Sequence, residues 1–69
     1  MSLVKQFLRY WSSTDITPDN AFLFEENLIG VRAIAEDASI LDGVSRHTTR
    51  AEFAALHRKL LKNERVAEN

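Results

Sequence analysis

Apolar side chains recur at helical spacing in three stretches of this chain. Leu3, Val4, Phe7, Leu8 and Trp11 fall on one side of a short segment, with Lys5, Gln6 and Arg9 on the other. Ser2 suits its N-cap, because its hydroxyl can accept a free backbone N–H of the first turn. Ser12-Ser13-Thr14-Asp15 ends it, since these side chains compete for backbone hydrogen bonds. Thr17-Pro18-Asp19 then reads as a restart: Thr17 at the N-cap, Pro18 where no N–H is needed, Asp19 at the positive end of the helix dipole. From Pro18 the pattern continues to about Asp42, and Gly43 suits a left-handed C-cap. Such a helix is about 37 Å long at 1.5 Å per residue. Thr49-Arg50-Ala51-Glu52 has the form of a capping box and opens a third helix, with Phe53, Leu56, His57 and Leu60 as its inner stripe. No segment alternates apolar and polar residues as a strand does. The pattern predicts an all-α, single-domain protein of three helices, about 3–12, 18–42 and 50–64, with a long central helix and frayed residues 66–69.

The predicted central helix has two apolar faces. Leu23, Phe24, Leu28, Val31, Ile34, Ala35, Ala38 and Leu41 make a broad side suited to the core. Phe22, Ile29, Ala33 and Ile40 make a narrower one nearly opposite, bordered by Glu25 and Glu36 on one edge and Glu26 on the other. Phe22, Ile29 and Ile40 stay roughly in line along a helix because they are spaced seven and eleven residues apart. Scattered surface apolar residues are ordinary. The sharper expectation is an interface with a second copy or another protein. Gly30 lies between the stripes, where a mid-helix glycine costs about 0.5–1 kcal/mol against alanine. It is either incidental or a point of close helix approach. Asn27, inside the broad face, is either a buried polar residue that fixes register or one in a wet gap.

Composition sharpens this picture. A chain of 69 residues buries only about 60% of its unfolded-state surface. Domains of this size usually need a disulfide, a metal or a partner chain. With no cysteine in the sequence, disulfides and thiolate zinc sites are excluded. Self-association, as a helical homodimer, is the expected remedy. No apolar run approaches about 18 residues and no signal-peptide pattern opens the chain, so a cytoplasmic location is expected. An amphipathic membrane anchor over Leu3–Trp11 is a weaker reading, because the helix is short and has few basic residues.

The net charge of −1 conceals a partition. Residues 14–42 carry seven acids and Arg32 alone, while residues 43–69 carry six basic residues and three acids. This is either a solvated surface or a means of association within or between chains. Arg32 is a candidate interface anchor, because arginine is enriched at binding hot spots. The candidate contact residues are Tyr10, Phe22, Ile29, Arg32, Ala33 and Ile40, with Trp11 as an alternative from the core stripe.

Catalytic and metal chemistry find little support. His47 and His57 have no further ligand at useful spacing for zinc. Ser45-Arg46-His47 lacks a triad acid and a nucleophile elbow, and no glycine-rich phosphate loop is present. No enzymatic activity, cofactor or metal is expected. DNA binding is the alternative function. Gly43-Val44-Ser45-Arg46 followed by Thr48-Thr49-Arg50 looks like the turn and recognition-helix start of helix-turn-helix regulators, and Arg46, Thr48, Thr49 and Arg50 would then face DNA. Arg58, Lys59, Lys62 and Arg65 would add phosphate contacts. The match departs from that pattern in three places. Ala35-Glu36 lies about one turn too far from Gly43, one residue too many separates Arg46 from the threonines, and Arg50 stands where an apolar residue is usual.

Over its whole length, Met1–Asn69, the chain resembles in size and helical layout the very small early proteins of temperate Pseudomonas phages that inactivate host regulators, the quorum-sensing anti-activators among them. That resemblance implies binding to a LuxR-type transcription activator and a block to its DNA binding. It also implies binding to the pilus-assembly ATPase and inhibition of type IV pili. No single motif carries the resemblance, so no site residue is transferred from it.

Overall fold

The computed structural model describes the backbone of residues 2–68 and the side chains as far as Asn63. It is all-helical, with α1 at Leu3–Trp11, α2 at Ala21–Ile34, a 3-10 turn at Ala38–Leu41 and α3 at Arg50–Glu68. Among the described residues there is no strand.

The first helix forms as its sequence dictates. The Lys5 N–H donates to Ser2 Oγ at 3.1 Å, closing the N-cap. At the other end the Ser12 and Ser13 hydroxyls donate to the carbonyls of Arg9 and Tyr10, at 2.8 and 3.0 Å. Val4, Phe7, Leu8 and Trp11 are buried, at the i, i+3, i+4, i+7 spacing of one helical face. They meet Phe24 from α2, Phe53 and Leu60 from α3, and Leu41 and Val44 from the connection between those helices. Four aromatic rings close the centre. Phe24 lies 5.7 Å from Phe7, 5.1 Å from Trp11 and 6.0 Å from Phe53, centroid to centroid, in tilted or edge-on geometry.

The expected 18–42 helix is not one helix. It begins at Ala21, because Thr17–Asn20 is occupied by a turn. The Asn20 side chain accepts from the Thr17 N–H at 2.7 Å and donates to the Asp15 carbonyl at 2.9 Å. Thr17-Pro18 therefore marks this turn rather than the helix start. The helix ends at Ile34, and Ala35 takes an extended conformation (φ −79°, ψ 136°). No proline or glycine forces that break. Its cause is tertiary: nine-residue α1 is only about 13.5 Å long and cannot cover a 37 Å helix. Turning after Ile34 brings Leu41 and Val44 fully or nearly fully under cover. Hydrophobic burial outweighs a helical continuation that would strand them. Gly43 has no left-handed backbone, so it is not the expected C-cap.

The capping box of α3 is formed in full. The Thr49 N–H donates to Glu52 Oε1 at 3.0 Å, and the Glu52 N–H donates to Thr49 Oγ1 at 3.2 Å. Phe53 and Leu60 are buried and Leu56 packs beside them, as the stripe predicts. The helix continues to Glu68. Asn69 lies outside the described residues.

Gly30 meets nothing that requires a glycine. A Cβ added there would have no neighbouring atom within 4 Å, and its backbone is helical. Gly30→Ala should therefore stabilise the fold by about 0.5–1 kcal/mol. Urea denaturation of the two proteins at equal concentration measures this.

Candidate protein-contact surface

Helix α2 is apolar on nearly every side, but only one side has a partner. Phe24 is fully buried, and Leu28, Val31 and Ala35 pack against the core beside it. On the far side, Phe22 is 74% and Ile29 68% exposed, with Ala33 exposed beside Phe22 in helical projection. Leu23 and Ile34, which the broad stripe assigns to the core, are also exposed, Ile34 at 72%. Their exposure follows from the shortness of α1, which leaves that flank of α2 uncovered. Burying a side chain of the size of Phe22, Ile29 or Ile34 is worth about 1.5–3 kcal/mol. One alone does not offset the cost of association, about 4–15 kcal/mol, whereas a contiguous set offsets much of it.

Beside this face, α1 and α2 form an open groove of about 450 Å³. Leu3, Tyr10, Gly30, Val31 and Ile34 line it, with Glu26 and Asn27 as polar members. Asn27 is exposed there rather than buried as a register-fixing residue. Tyr10 is half-exposed, and its ring stands edge-on to Trp11 at 4.8 Å. Trp11 itself is fully buried. It braces Tyr10 from within the core and offers a partner almost no surface. Its indole Nε1 has no hydrogen-bond partner among the described residues, and the same is true of His57 Nε2.

The remaining candidates separate into different regions. Arg32 is exposed and its guanidinium lies 3.8 Å from Asp42 Oδ1. Ile40 is half-buried against the core and lines a second hollow with Val44 and Leu56. It does not continue the line of Phe22 and Ile29, because the chain turns between them. The expected four-residue stripe is thus reduced to Phe22, Ile29 and Ala33, and extended sideways by Leu23 and Ile34.

The helix-turn-helix candidates are mostly engaged within the chain. Arg50 Nε lies 2.8 Å from Asp15 Oδ1, tying the basic α3 to the acidic connection before α2. Thr48 Oγ1 accepts from the Ser45 N–H at 2.9 Å, and Thr49 is held in the capping box. Arg46 is exposed. The element before the turn is the four-residue 3-10 segment rather than an α-helix.

Among the described residues, no group of three or more His, Cys, Asp or Glu side chains converges on a metal position. No described helix is long and apolar enough to cross a membrane. No protein-family model, curated protein or solved structure matches the chain.

Glu52 has a displaced titration. The Thr49 backbone N–H donates to its carboxylate, and with the Thr49 hydroxyl holds its pKa below the ordinary value. The capping contribution is therefore present above the ordinary carboxylate range and lost as pH falls through the lowered folded value. Amide exchange at residues 51–53 should accelerate on acidification relative to neighbouring helical amides. Glu52→Gln should flatten that acid dependence.

Proposed function

We propose that this protein is a non-enzymatic contact module, which works as a homodimer and inhibits a regulatory protein by occupying its surface. The observation that carries this reading is the uncovered surface of α2, where Phe22, Ile29 and Ala33 on the outer face and Ile34 on the flank beside α1 are exposed although the adjacent core is well packed. Large exposed apolar patches on small domains mark contact sites. A chain of this size reaches a function through such a surface more readily than through a sequestered catalytic pocket.

The regulatory target belongs to the same proposal. The likeness in size and layout to phage anti-activators points to a LuxR-type transcription activator, and secondarily to a pilus-assembly ATPase. Contact is preferred over DNA binding because Thr49 and Arg50 are held by Glu52 and Asp15. An apolar α2 face also has no part in phosphate recognition, which rests on basic residues.

Capture on the immobilised protein from a bacterial lysate tests the proposal, with wild type compared against Ile29→Asp. Ile29 is exposed, so the variant should keep its helical circular dichroism while losing the captured protein. Equal capture by both proteins places the function elsewhere. Binding of DNA at low salt that falls steeply with added salt, and depends on Arg46, would replace the contact reading altogether.

A further inference from the structure

We infer that the outer face of α2 receives the same face of a second copy, in antiparallel orientation, with Glu25 of each chain beside Arg32 of the other. This rests on the homodimer proposed above and adds the face by which the two copies meet and their direction.

The charges on α2 decide the direction. Glu25 and Arg32 are both exposed, and seven residues apart they share one edge of the Phe22–Ile29–Ala33 face. Glu26 lies on the opposite edge. A two-fold axis perpendicular to two antiparallel helices leaves each edge facing its own counterpart. Placing that axis between residues 28 and 29 brings Glu25 level with Arg32 of the second copy, and the reverse, so two ion pairs form by symmetry. A parallel dimer brings opposite edges together instead. It sets Glu25 beside Glu26 of the second copy twice and leaves Arg32 without an acid.

The apolar residues agree with this register. The two Ile29 side chains meet beside the axis. Phe22 of each chain lies two residues, about 3 Å along the axis, from Ala33 of the other, a large side chain against a small one. The two Glu26 carboxylates are offset by five residues, about 7.5 Å along the axis, which keeps their repulsion small. Arg32 is already drawn to Asp42 only at 3.8 Å, and both groups are exposed, so its five donors can serve a further carboxylate. α1 and α3 occupy the other side of α2 and leave this face open.

Absence of native cysteine makes the register directly measurable. A disulfide needs Cα atoms within about 7 Å. Ile29→Cys should cross-link to itself under mild oxidation, and a mixture of Phe22→Cys with Ala33→Cys should form the mixed species. Phe22→Cys alone should not, because its two copies lie about 20 Å apart in this register. Efficient self-linking of Phe22→Cys, in a protein of dimeric mass, overturns the antiparallel register while leaving self-contact intact. A wild-type protein that stays monomeric at high micromolar concentration overturns the second copy as occupant, and capture by the same face then stands as a separate question. Charge reversal gives an independent check. Glu25→Arg or Arg32→Glu alone should weaken dimerisation about tenfold, as two surface pairs turn repulsive. The double variant should recover it, and failure to recover counts against the pairing.

Discussion

Phe24 is the point at which the three helices close. Its ring touches Phe7 and Trp11 from α1 and Phe53 from α3, all within 6.0 Å between centroids. Every other feature of the molecule follows from how little chain remains to surround that contact. α1 supplies four buried residues over nine, too few to shield the rest of α2. The chain therefore turns at Ala35 to bring Leu41 and Val44 into the core. This places Ile40 on a different surface from Phe22 and Ile29.

The same shortage produces the exposed surface. A helix apolar on one stripe has its needs met by one neighbouring layer. α2 is apolar on more than one, and the layer of α1 and α3 covers only the Phe24 side. Phe22, Ile29 and Ile34 are left in water, where each forgoes about 1.5–3 kcal/mol of burial. Gly30, with open space beside it, adds a backbone cost that nothing within the chain offsets. The exposed apolar residues oppose stability of the lone chain, and the proposed contact with another chain would account for them together. In the proposed dimer, charge orients the contact, since Arg32 is the lone basic residue of an acidic segment and shares its edge with Glu25.

What was legible in the sequence was mostly local. Ser2, the Ser12-Ser13 pair and the Thr49–Glu52 box act through hydrogen bonds within a few residues, and each forms where its spacing predicts. Amphipathic α1 and the inner stripe of α3 were equally plain, because one period describes each. The break at Ala35 was not legible. Ala35-Glu36-Asp37 contains no helix breaker, and the turn is imposed by how far α1 extends, a quantity visible only once the helices are packed. The short reach of α1 also leaves Leu23 and Ile34 exposed, although their period places them with the core. At Thr17-Pro18 the structure departs from the pattern for a different reason: the Asn20 side chain, by bonding across the turn, postpones the helix by three residues. The candidate surface was half legible: Phe22, Ile29 and Ala33 followed from periodicity, while Ile40 was lost and Ile34 gained at the turn.

The central claim is that α2 carries a face made for another chain, and that a second copy covers it. Sedimentation equilibrium across the micromolar range tests this most directly. A dimer of this kind should show a mass rising with concentration from that of the 7.9 kDa chain to twice that value, with a thermal midpoint that rises in parallel. A mass fixed at one chain and a midpoint independent of concentration would contradict it.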